Sequence, residues 1–155
     1  MDTRNARGIA MPEPTPLAKK IAELNKLRDD PNSGDTTQAL RRALADRSPH
    51  VVAKAAELCS ELSKSELVPD LLKAYQRMFS DPVKQDPGCL AKTAIASALV
   101  GLDCQDIEAY RQGIKYQQHE PVWGGEKDTA AQLRAVCAAG MVGCATSSKT
   151  NSRSE

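Results

Sequence analysis

Apolar residues recur along the chain at the three-to-four-residue spacing of amphipathic helices, broken by clusters rich in Pro, Gly, Asp and Ser. Leu17, Ile21, Leu24 and Leu27 form the first stripe and Asp29-Asp30-Pro31-Asn32-Ser33-Gly34 closes it, so the pattern predicts a helix over 16–28. Asp35 as a cap, with Leu40, Ala43 and Leu44 facing inward and Arg41, Arg42 and Arg47 facing water, predicts a second over 36–46. Ser48-Pro49 ahead of Val51, Val52, Ala55, Ala56, Cys59 and Leu62 is a strong start signal and predicts 49–63. Leu67, Val68, Leu71, Leu72, Tyr75, Met78 and Phe79 predict 66–80, with Pro69 harmless in the first turn. Asp86-Pro87 opens 88–101. Ile107, Tyr110 and Ile114 mark 105–115. Asp128-Thr129 opens 129–143, with Leu133, Val136, Cys137, Met141 and Val142 on its apolar face. No strand is predicted.

Residues 1–15 lack this periodicity and predict a flexible leader; 145–155 have nothing to bury and predict a disordered tail, leaving 16–144 as one helical domain. Composition supports an all-α fold, because aromatics are only 3% while Ala and Leu abound. Lys+Arg 21 against Asp+Glu 20 leaves +1, which announces no polyanion partner. No apolar run approaches the roughly 18 residues of a membrane span, and the N-terminus carries no apolar signal core, so a soluble cytoplasmic protein is expected. The five cysteines are spread out without a C-x-x-C pair and read as small buried hydrophobes in a reducing compartment. With only His50 and His119 as histidines, neither a metal nor a cofactor is expected.

The helices repeat. Ser48-Pro49 matches Asp86-Pro87, and Asp86 matches Asp128, so that Lys54, Lys92 and Arg134 fall in one column. Leu99-Val100-Gly101 matches Met141-Val142-Gly143, and in the preceding helices Leu40, Leu44 and Asp46 align with Tyr75, Phe79 and Asp81. A period near 40 built from antiparallel helix pairs is the signature of a solenoid of HEAT type. The Asp-to-base steps Asp86 to Lys92 and Asp128 to Arg134 resemble the Asp and Arg/Lys pair in the second helix of HEAT repeats; the first unit departs from the pattern, with Ser48 in place of the acid. The resemblance spans about 36–143 and implies an α-α superhelix of about three helical pairs.

That resemblance implies a concave surface lined by second helices, on which Ser48/Lys54, Asp86/Lys92 and Asp128/Arg134 would be a charged strip. The same residues also make sense as helix caps with bases bridging adjacent units. Arg41, Arg42 and Arg47 beside Asp46, without interleaved aromatics, read as a solvated face, and nucleic acid is not expected.

The most distinctive segment runs from Gln117 to Asp128 and holds the one Trp of the chain. Trp123 either folds back as a lid on the core, with Gly124-Gly125 permitting the return, or anchors a partner together with Glu120 and Glu126. Gly-Gly here lacks the spacing and the lysine of a phosphate loop. For catalysis the best case is Glu120 or Asp128 near Trp123, similar in spirit to HEAT-like DNA glycosylases, but no second carboxylate in a defined relation can be named, and a non-enzyme is expected. The reading is a HEAT-repeat scaffold or protein-interaction module. The alternatives are a HEAT-like DNA-binding protein or glycosylase, and an N-terminal fragment of a longer solenoid. The apolar last helix, followed only by a polar tail, lacks the polar outer face of a capping repeat and predicts self-association there.

Overall fold

The computed structural model describes residues 12–151; most of the expected leader and the end of the expected tail lie outside them. Eight helices and one two-stranded hairpin make up the described residues. In order they are α1 Pro16–Asn25, α2 Gly34–Leu44, α3 Pro49–Glu61, α4 Val68–Arg77, the single turn α5 Pro82–Gln85, α6 Leu90–Gly101, α7 Ile107–Lys115, β1 His119–Val122, β2 Gly125–Asp128 and α8 Ala131–Asn151, with short 3-10 turns at Lys26–Asp29, Ser65–Leu67 and Pro87–Cys89. The fold is mostly helical, as the periodicity predicts; the hairpin corrects the expectation of no strand.

Caps fix the helix starts. Thr15 accepts from the Ala18 amide, and Ser33, not the expected Asp35, caps α2 through the Asp35 amide, which moves that helix two residues toward the N-terminus. Ser48 occupies the cap position of α3 without a side-chain cap bond; its own amide donates to Asp46 Oδ1 instead. α6 begins later than expected because Gly88 (φ +73) and Cys89 (φ +55) adopt left-handed backbone between Pro87 and the helix.

α3 packs on α6, and α6 on α8, while α1 lies against the other side of α3; α2, α4 and α7 cover α3, α6 and α8 respectively. The four helices of the first layer run in the same direction. Lys20 pairs with Asp46 near the start of α3 and Arg28 with Glu61 at its end. Thr129 meets Cys89 before α8 and α6 begin, and Cys144 meets Cys104 at their far ends, both contacts spanning 40 residues. α7 is antiparallel to α8, since Arg134 reaches the Tyr116 carbonyl. Second-layer helices are tied by Gln76 to Gln112 at 2.8 Å and by Tyr75 Oη to the Ala109 carbonyl at 3.2 Å. The core between the layers is Leu40, Leu44, Val52, Leu58, Leu71, Tyr75, Ile95, Leu99, Tyr110 and Leu133, each at most 2% exposed, and each contributes about 1.5–3 kcal/mol by leaving water.

α3 and α6 end in the same way: Ser63 and Asp103 are both left-handed at φ +55. Lys64 N–H reaches the Cys59 carbonyl at 2.8 Å, and Cys104 N–H reaches that of Leu99 at 2.9 Å, the six-to-one bond of a Schellman cap. The next position in this series is Gly143, where the expected last helix stops. The structure carries α8 through it to Asn151, so residues 145–151 are helical where a disordered tail was expected. No proline follows to break the helix, and Thr146 and Ser148 bond back to the Gly143 and Cys144 carbonyls. The outer face of α8 is open, with Val142 66% exposed.

Ser63 and Asp103 hold a conformation that costs a β-carbon-bearing residue about 1 kcal/mol or more. Ser63→Gly and Asp103→Gly should each raise stability by up to about 1 kcal/mol in urea melts; destabilisation at both positions would contradict the paired caps. Gly140→Ala should do the opposite despite its better helix propensity, because the added methyl would sit 2.6–2.8 Å from the Tyr110 ring; a loss of about 1–3 kcal/mol is expected in the same assay.

Candidate functional site

Charged and polar side chains converge where α6 begins. Lys92 is the one charged residue on the inward face of α6, and it and Asp86 are both 0% exposed. Its ammonium lies 3.2 Å from Asp86 Oδ2 and donates to the Met78 carbonyl, also at 3.2 Å, at the end of α4. The rings of Phe79 and Tyr116 flank it, each 5.4 Å away, a geometry in which ring quadrupoles stabilise a cation. The Asp86 carboxylate turns back over the Pro87–Cys89 turn and accepts from the Ala91 and Lys92 amides at 2.7 and 2.9 Å, satisfying donors that the helix start leaves free.

A second polar shell joins this pair to the hairpin. Gln118 donates to the Asp86 carbonyl at 2.9 Å and accepts from Tyr116 Oη at 2.7 Å. One oxygen of Glu120, Oε1, collects three donors: the Gly88 amide at 2.6 Å, Gln118 Nε2 at 2.6 Å and Thr129 Oγ1 at 2.8 Å. Burial at the hairpin base opposes ionisation of Glu120, but these bonds outweigh it and hold its carboxyl below the usual range. Asp128 accepts from Arg134 Nη2 at 2.7 Å and from the Ala130 and Gln118 amides; chiefly through the Arg134 bond, its carboxyl lies far below the ordinary value. Glu120 and Asp128 are thus fixed anions that accept hydrogen bonds.

Above this base, β1 and β2 pair antiparallel with His119 opposite Asp128 and Val122 opposite Gly125. Trp123 and Gly124 make the turn, where Gly124 at φ +90 takes the left-handed position that favours glycine. Trp123 is 102% exposed and Val122 47%. The lid reading is therefore not what the structure shows: the indole stands in water at the hairpin tip. Glu126 is exposed beside it on β2, whereas Glu120, expected on the same docking surface, turns inward.

The ladder resolves into buried and open rungs. Asp86 and Lys92 are sealed inside and cannot meet a partner; Asp128 and Arg134 are partly exposed; Lys54 pairs instead with Glu57 at 3.3 Å. The bases do not bridge adjacent units as expected: Lys92 and Arg134 each bond the end of the first helix of their own pair. Bonds between pairs come instead from Arg77, which donates to the Leu44 and Asp46 carbonyls, from Tyr75 and Gln76, which reach α7, and from Gln118. Arg41 pairs with Asp70. The part that Gln118, Thr129, Tyr116 and Phe79 play in this site escaped the sequence reading; the one local signal was the Asp-Pro-Gly start, whose glycine leaves an amide facing Glu120.

A second feature is an open groove of about 970 Å³ along α1, α3 and α6, with Leu17 and Ile21 on one wall, Leu90 and Ala94 on the other, and Ala53 and Lys54 on the floor. Leu90 lies two residues from Gly88, so the groove opens beside the hairpin base. Among the described residues, no three His, Cys, Asp or Glu side chains converge in a way that could hold a metal ion, and no helix is long and apolar enough to cross a membrane. No family model, curated protein or solved structure matches the chain.

Lys92→Met should cost about 3–5 kcal/mol, because it leaves the Asp86 carboxylate buried without its cation; a loss under 1 kcal/mol in a urea melt would show that the pair is dispensable. Asp128, with its carboxyl lowered in the fold, stabilises the protein above an unfolded-state value near 4 and loses that contribution as pH falls further. The stability gap between the wild type and Asp128→Asn should therefore be constant from pH 7 to about pH 5 and close as pH drops below about 4. A gap that widens in acid would overturn this assignment.

Proposed function

We propose that this chain is a protein-interaction module, a short α-solenoid of HEAT-like helical pairs that presents the Trp123 hairpin to a protein partner. The carrying observation is the pairing of a fully exposed indole with a hairpin base locked by Glu120, Gln118, Thr129 and Asp128. An exposed aromatic gains most on burial, and holding it on an ordered element lowers the entropic cost of docking. The 40-residue contacts between α6 and α8 of the first layer and the paired caps support the repeat reading. In this reading the module is a non-catalytic scaffold, and Glu120 positions the hairpin while Trp123 and Glu126 meet the partner.

The single tryptophan makes the test direct. Free protein should show water-exposed indole emission that acrylamide quenches fully, and Trp123→Ala should change stability by less than about 0.5 kcal/mol. The same substitution should weaken capture of a partner by about 2 kcal/mol or more, as should deletion of the hairpin. A buried-indole spectrum in the free chain, or a partner captured equally by both variants, would defeat the proposal. The open face around Val142 favours a second reading, self-association through α8. A dimer mass in light scattering that Val142→Glu returns to a monomer would establish it.

A further inference from the structure

The five cysteines are all free, and two of them meet. Cys104 lies in the turn between α6 and α7, partly exposed, and Cys144 lies on α8 with 3% of its surface exposed. The Cys144 thiol points at the Cys104 backbone, its Sγ 3.8 Å from the Cys104 carbonyl oxygen. Cys104 itself is pinned: its amide donates to the Leu99 carbonyl at 2.9 Å, and its carbonyl accepts from Tyr110 Oη at 2.8 Å. Cys137 turns instead toward Tyr75, and Cys89 toward Thr129. Burial, and next the Cys104 sulfur beside it, push the Cys144 thiol up, so the more accessible Cys104 is the sulfur that reacts first.

The site of this contact matters. Cys144 follows Gly143, the position at which the two preceding second helices end in a cap, and it is the last buried side chain described on α8. From Ala145 to Lys149 every side chain is exposed or only partly covered. The Cys144 contact joins the base of the α8 overrun to the α6–α7 turn.

We propose that Cys104 and Cys144 form a reversible disulfide that fastens the C-terminal part of α8 to the α6–α7 turn, with a small-molecule disulfide of the glutathione type as the oxidant. The Cys104 thiolate, its proton lost to water, attacks one sulfur of the oxidant and expels the other as a thiolate, leaving a mixed disulfide. The Cys144 thiolate then attacks Cys104 Sγ and expels the second small thiolate. Two protein thiols lose two electrons in total; the oxidant gains them and, with the two protons, becomes two thiols. Such a bridge requires the two α-carbons to lie within roughly 7 Å of each other.

The test uses the full chain incubated with oxidised glutathione and then alkylated with N-ethylmaleimide in denaturant. Three alkyl groups per chain, not five, are expected, on a mass lighter by two hydrogens. Because trypsin leaves Cys137 and Cys144 on one fragment, the assignment rests on variants: the bridge should persist in Cys137→Ser and vanish in Cys104→Ser and Cys144→Ala. Cys104→Ser, at a partly exposed turn, keeps the comparison valid if Cys144→Ala fails to fold. The oxidised chain should melt roughly 5–15 °C higher than the reduced one, and dithiothreitol should reverse the gain. Five alkylated thiols in the wild type, a stable glutathione adduct on Cys104, a bridge that survives Cys144→Ala, or a bridge without a rise in melting temperature would each overturn the proposal.

Discussion

A lysine ammonium taken wholly out of water must find nearly all of its compensation at fixed points, and the middle of this molecule is arranged around that demand. Lys92 occupies an inward position of α6 that Ala, Ile and Leu otherwise fill. Desolvating an ion costs several kcal/mol, recovered only where geometry supplies an opposite charge and further bonds. The structure provides Asp86, the terminal carbonyl of α4 and two aromatic rings. Each of those groups is itself constrained in turn. Asp86 must cap α6, α4 must stop at Met78, and Tyr116 must close α7 at the same point, so three helix ends and the entry to the hairpin are fixed relative to one charge. The outer pairs face no such demand: Lys54 and Arg134 keep access to solvent.

Helical structure was legible in the sequence because it depends on periodic burial and on caps with clear side-chain chemistry. Ser-Pro and Asp-Pro mark helix starts whatever the tertiary context, and the Asp86 to Lys92 step points to a pairing that the fold realises. The hairpin was illegible for a physical reason. His119-Glu120-Pro121-Val122 and Gly125-Glu126-Lys127-Asp128 have no apolar alternation, since neither face of this ribbon is buried in a core. What holds the strands is a set of polar bonds to residues far away in sequence, Gly88 and Asp86 among them, and such bonds leave no local pattern. The fate of Trp123 was undecidable for the same reason: whether an aromatic folds back depends on where its strand is aimed, and Glu120 aims it through three donors.

The extent of α8 shows how a local signal can be present and overridden. Gly143 stands where Ser63 and Asp103 stand in the earlier units, and it is the residue type best suited to a left-handed cap. A cap forms only if the chain turns back to pack a following element. After Gly143 come Cys144 and Ala145 and then a polar run from Thr146 that offers little apolar surface to reward such a turn, and continuing the helix satisfies the backbone instead.

That overrun has a mechanical consequence. At about 1.5 Å per residue, the stretch from Gly143 to Asn151 makes a rod of roughly 12 Å projecting past the plane in which α3 and α6 stop. A rod anchored at one end acts as a lever: a small rotation of α8 about its contacts with Tyr110 and Cys104 displaces the far end by a larger distance. The last helix ends not in a flat face but in a spur, along which any tilt of α8 is magnified towards the tip.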